Sequence, residues 1–182
     1  MVDIQVELPP AHSLARAWQG EVIDRVVLDY EARFLRRRRL VTEGGAGIVV
    51  DLAETSSLDE GDALILADGR AVAVIAAAED LVAVSGDLAR LAWHIGNRHT
   101  PCAIMASRLV IRRDHVIEAM LTRLGATLVP VREPFRPEGG AYGHGRTLGH
   151  AHAHDDGDHQ AHSHGHDHDA GRGDAVDRGH AT

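Results

Sequence analysis

The sequence contains no lysine; all nineteen of its basic side chains are arginine. That excludes a phosphate-binding P-loop, which needs its lysine on the phosphates, and it excludes Schiff-base chemistry. There is one cysteine, Cys102, so an intrachain disulfide is impossible and a reducing cytoplasm is the expected compartment. Aromatics make up only 3% of 182 residues, so Leu, Val, Ile and Ala must fill the core. No apolar run approaches the roughly 20 residues that cross a bilayer. The first residues, MVDIQVELPP, carry early acids and no apolar stretch, so no signal peptide is expected. The formal net charge of −8 argues against general nucleic-acid binding. No HExxH or GxSxG motif and no spaced Ser-His-Asp set is present, so an enzyme is not expected. A metal-dependent hydrolase would also need more histidines than the body of the chain offers.

What the sequence does have is histidine, fourteen in all, of which ten fall within residues 144–182. Composition changes near Tyr142. Beyond it there is almost nothing to bury, so this segment is expected to be disordered without metal. Its H-x-H spacings, at His150, His152 and His154 and again at His162/His164 and His166/His168, let two imidazoles of a flexible chain reach one ion. Neutral imidazole suits Ni, Cu, Zn and Co, and the affinity order Ni²⁺ < Cu²⁺ > Zn²⁺ applies to any such ligand set, so the metal itself stays open.

The rest of the chain predicts an α+β protein. Residues 1–71 read as a β-rich domain, with β-branched runs in GEVIDRVVLDY and GAGIVVDLA and a tight DGR turn at 68–70. LRRRRLVTE reads as a strand with Arg36 to Arg39 facing solvent or an acidic partner; no aromatics interleave to stack bases. Residues 72–136 predict β-α-β-β-α-β, a ferredoxin-like order. Its first helix carries Leu88, Leu91, Ala92 and Ile95 at helical spacing, with Ser85 or Asp87 as cap and Gly96 as its end. Its second starts at Asp114, presents Val116, Ile117, Met120, Leu121 and Leu124 as an apolar stripe, and ends at Gly125. Residues 137–182 form the tail.

In WHIGNRHTP, His99 follows the end of the first helix and is displayed rather than packed. One imidazole is too few for a tight site. A two-fold dimer would supply two copies of His99, and tail histidines would complete the shell. His94 reads as a helix-surface residue, Cys102 as a small buried hydrophobe, and His12 as preceding the folded region.

Three separated motifs stand in order: Gly96-Asn97-Arg98-His99, Asp114-His115-Val116, and FRPEGGAYGHG at 135–145, with LDEGDAL at 58–64 upstream. Together they resemble the urease accessory protein UreE family over most of the chain. The resemblance implies a peptide-binding-like N-terminal domain, a ferredoxin-like metal-binding domain and a homodimer with metal at the two-fold axis. It implies a carrier that passes Ni²⁺ to an accessory GTPase and the urease apoprotein complex in the cytoplasm, with no nucleic acid or membrane as partner. It places the interfacial ligand on His99 and an auxiliary ligand on His144. Some members add histidines around the start of the second helix; here only His115 is kept, behind Arg112 and Arg113. The competing expectation is a general store or buffer for Zn²⁺ or Cu²⁺, which needs only the tail.

Overall fold

The computed structural model describes residues 6–139. Seven strands form a first, mixed sheet. They are β1 (Val6–Glu7), β2 (Ala11–Ala15), β3 (Asp24–Leu28), β4 (Phe34–Val41), β5 (Ala46–Ser57), β6 (Ala63–Leu66) and β7 (Ala71–Ala76). Their order is β1-β5-β2-β6-β7-β3, with β4 also paired to β5. The twelve-residue β5 is the backbone of this sheet, pairing antiparallel with β4 and parallel with β1 and β2. Alternate residues of a strand face opposite sides. Ile48, Val50 and Leu52 accordingly enter the core with Val26, Leu40, Leu64, Val72 and Val74, while Val49 faces out. The expected DGR turn joins β6 to β7. Gly69 takes φ +85°, the Asp68 carboxylate accepts from the Arg70 guanidinium at 2.7 Å, and that bond holds the Asp68 carboxyl below its usual range.

The second sheet follows the order strand, helix, two strands, helix, strand. Its elements are β8 (Ala78–Ser85), α1 (Leu88–Gly96), β9 (Cys102–Ile104), β10 (Leu109–Arg112), α2 (His115–Arg123) and β11 (Thr127–Pro134). The strands are ordered β11-β8-β10-β9, with every pairing antiparallel. Both helices cover one face, where Leu91, Ile95, Ile117 and Leu121 pack on Val82, Val84, Leu109 and Ile111. The opposite face presents Leu81, Ala103 and Val110 to Tyr30 and Phe135. Pro130 and Pro134 are accommodated because β11 is an edge strand, where a missing N–H can face solvent.

Both helix starts follow from their caps. Asp87 accepts from the Arg90 N–H at 3.3 Å. Asp114 accepts from the N–H groups of Val116 and Ile117 at 2.8 and 3.0 Å, and the Glu118 carboxylate accepts from the Asp114 N–H in return. Of the two caps proposed for the first helix, Asp87 is the one used.

Two sequence expectations change. His12 does not precede the folded region: it lies on β2, its ring Nδ1 3.3 Å from the Asp51 carbonyl. The apolar run RAVAVIAAAEDLVAV, strand-like throughout as a sequence, is two strands, since the chain leaves the first sheet at Ala77 and enters the second at Ala78. Strand β7 starts at Ala71 and pairs with β3 and β6. Among the described residues no helix is long and apolar enough to cross a membrane. The expectations for the tail fall outside the described residues, His144, His150, His152 and His154 included.

Candidate metal centre

The helix α1 unwinds through a tight turn. Arg98 donates its N–H to the Ile95 carbonyl at 3.0 Å, and His99 donates to Gly96 at 2.9 Å. His99 then adopts φ +54°, the left-handed region that costs most side chains about 1–2 kcal/mol. Gly125, after α2, takes the same region at no steric cost. A histidine held there, exposed, is turned out of the helix line and towards solvent.

His99 borders a hollow of about 200 Å³ together with Ala92, Thr100, Cys102, Ile104, Glu138 and Gly139. The last two residues arrive from the far end of the sheet. After β11 the chain runs back along the edge strand β9, and Glu138 donates its N–H to the Cys102 carbonyl at 2.9 Å. Ile104 on the rim of the hollow is 54% exposed, and Trp93 and Met105, next to lining residues in sequence, are 65% and 40% exposed.

Cys102 faces the helix side of the sheet and is half-buried. Burial pushes its thiol up to about 11; the Val110 backbone N–H pulls it down, and the Glu138 charge adds to the rise. Metal coordination needs the thiolate, and burial opposes forming it. The reading of Cys102 as a small hydrophobe agrees with its place among the core side chains of α1 and β10.

His94 and His115 stand elsewhere, and close to one another. They line one groove between α1 and α2, of about 580 Å³, with Arg98, Arg123, Val116, Met120 and Leu124. His94 meets the Trp93 ring edge-on at 4.9 Å between centroids, and its carbonyl accepts from the Arg98 guanidinium. Two guanidinium groups in the same groove repel a divalent cation. Sequence spacing did not reveal that His94 and His115 share this groove, because it is formed by two helices separated by two strands. Among the described residues no three His, Cys, Asp or Glu side chains come together as a metal cage. Any site at His99 therefore needs ligands beyond those that residues 6–139 of one chain bring together.

Glu138 was legible only as part of the FRPEGGAYGHG motif; nothing in its spacing indicated a backbone bond to Cys102.

Two family models match the chain. One described as UreE urease accessory protein, N-terminal domain, matches residues 5–77, and one described as its C-terminal domain matches residues 70–169. The chain is 66% identical over 146 residues to the urease accessory protein UreE of Cereibacter sphaeroides, covering 79% of this chain and 80% of the relative. It is 59% identical over 149 residues to that of Ruegeria pomeroyi, covering 80% and 99%, and 61% identical over 140 residues to that of Paracoccus denitrificans, covering 77% and 90%.

Proposed function

The chain belongs to the UreE family of urease accessory proteins, and from that premise we propose that it is a Ni²⁺ carrier whose transferable ion is held by His99. The protein is a two-domain α+β accessory chaperone of urease maturation rather than an enzyme. We read its second sheet as ferredoxin-like, a reading supported by the antiparallel order β11-β8-β10-β9 with both helices on one face. We keep the division into a β-rich domain at 1–71, a metal-binding domain at 72–136 and a tail at 137–182.

The observation that carries the proposal is the convergence of His99 and the departing chain on one hollow. Gly139 lies on its rim, and His144 follows five residues later. Five extended residues span at most about 17 Å, which is enough to bring that imidazole back to His99. One His99 from each of two protomers would give two ligands at a two-fold axis, and His144 would add to them. The exposed Ile104, Met105 and Trp93 give such a contact apolar surface to bury.

The mechanism is exchange between incomplete ligand sets. The tail histidines, His150, His152 and His154 among them, collect ions with low selectivity. The His99 pair holds one ion without enclosing it, and a recipient ligand enters as a tail imidazole leaves. The recipients are the urease accessory GTPase and the urease apoprotein complex, met in the cytoplasm. Imidazole binds metal only as the neutral base, so protons compete with loading. Zn²⁺ and Cu²⁺ compete, because nothing in an imidazole set refuses them. His115 is at most an accessory ligand, given the guanidinium groups beside it.

The test is delivery. Nickel-loaded protein is mixed with urease apoprotein and its accessory proteins under a chelator that removes free nickel, and urease activity is followed. The His99→Ala variant, loaded through its intact tail, should activate urease no faster than chelated nickel alone. Activation equal to the parent's would return the protein to the class of metal stores.

A further inference from the structure

The two guanidinium groups in the groove between α1 and α2 turn a divalent cation away, and the same charge draws an anion. No Asp or Glu lines this groove of about 580 Å³. Among the described residues neither Arg98 nor Arg123 stands in an ion pair; Arg98 donates to the His94 carbonyl at 3.4 Å. The acid in the first turn of α2, Glu118, is already held by the Arg113 guanidinium at 2.8 Å and by the Asp114 N–H at 3.1 Å. On a chain of net charge −8 the groove is a local reversal of sign. Its wall on α2 is one stripe running from His115 to Arg123, a length of about 12 Å. Along that stripe Val116 is 60% exposed and Met120 is half-buried. Strands β8 and β10 are antiparallel and each leads into one helix, so the end of α1 lies beside the start of α2. Arg98 therefore belongs to the His115 end of the groove and Arg123 to the other, with apolar surface between them.

We propose that this groove docks an acidic amphipathic helix of a partner protein, with its carboxylates on Arg98 and Arg123 and its apolar side chains on Val116 and Met120. A length of about 12 Å is roughly two helical turns, over which a docked helix presents anchors at i, i+3, i+4 and i+7. Met120 suits such a contact because its unbranched side chain adapts to what it meets. Exposed charge pairs alone contribute little, so the apolar strip between the two arginines is needed for binding. A second copy of the chain does not fit, since pairing two such grooves sets arginine against arginine. The overall charge of −8 disfavours nucleic acid in the same place. Docking itself needs no metal. It has a consequence for metal nonetheless: Arg98 directly precedes His99, so a partner seated in the groove stands beside the hollow of the metal centre.

The test is fluorescence anisotropy of the metal-free, full-length protein with a labelled helical peptide that carries Glu at i and i+7 and Leu at i+3 and i+4. Arg98→Gln and Arg123→Gln should each weaken binding about threefold, and the double variant about tenfold. Both side chains are exposed, so these variants should keep the parent's melting temperature. The same peptide with Gln in place of Glu should bind the parent as weakly as the acidic peptide binds the double variant. Removing two other exposed charges, with Arg37→Gln and Arg38→Gln on β4, should leave binding as it is. An equal loss in that control would mean general attraction to a basic surface and overturns the proposal. So does failure of the acidic peptide to bind the parent at millimolar concentration, or binding that the double variant retains. Markedly tighter binding to a chain shortened to end at Gly145 would make this chain's own tail the occupant. Loss of binding as the protein self-associates in sedimentation velocity would make it a second copy, and displacement of the peptide by duplex DNA would make it nucleic acid; each of the three overturns the assignment to a partner protein.

Discussion

The Glu138 N–H donates to the Cys102 carbonyl at 2.9 Å, which binds the chain's path towards its histidine tail to the strand that begins three residues after His99. That bond engages the Cys102 backbone and not its thiol. The sulfur lies on the core side, with its pKa pushed up to about 11 by burial.

Cys102→Ala should therefore leave nickel affinity and stoichiometry as they are, measured by calorimetry at pH 7.5. In the parent, iodoacetamide should modify the native thiol far more slowly than the unfolded one. The sign of the stability effect follows from the raised pKa. The native state keeps its proton longer than the unfolded state. The contribution is complete below about 9 and is lost as pH rises towards 11. Urea midpoints of the parent should fall through that window more than those of Cys102→Ala.

Asp114 caps α2 through two backbone N–H groups. Asp114→Ala should lower stability by about 1–2 kcal/mol in urea unfolding, with no change in nickel affinity, because α2 does not touch the His99 hollow. Weakened nickel binding by the folded variant would mean that the His115 end of α2 belongs to the site after all.

Ile104 stands on the rim of that hollow and is more than half exposed. A carboxylate there should oppose a two-fold contact while costing the monomer little, since no core packing is lost. Ile104→Asp should shift the protein towards monomer in sedimentation velocity and lower nickel affinity together. A variant that remains dimeric and binds nickel normally would move the interface to another face.

Much of this was legible locally. Helix α2 could be read almost entirely from its sequence: the Asp114 cap, the stripe through Ile117 and Leu121 and the left-handed Gly125 are local signals, and each does locally what its chemistry predicts. The Asp68-Gly69 turn and the exposed arginines of β4 were equally plain. What escaped depends on distant pairing. The five residues of β2, AHSLA, carry little β-branched character, and they form a strand because β5 and β6 flank them. That is why His12 was misplaced. The break at Ala77 is hidden inside a continuous run of small apolar residues, where only the change of strand partner marks it. At the candidate site, His99 could be read from its position after Gly96. The groove shared by His94 and His115, and the buried Arg33 beneath Phe135, arise from contacts between elements far apart in sequence.

The most direct test of the account is a calorimetric nickel titration of three proteins: the full-length chain, the chain shortened to end at Gly145 so that it keeps His144, and His99→Ala in the full-length chain. The account predicts that the shortened chain binds fewer ions but keeps one tight ion per dimer. It predicts that His99→Ala keeps the weak ions and loses the tight one. Loss of all tight binding on shortening, together with an unaltered His99→Ala isotherm, would contradict it.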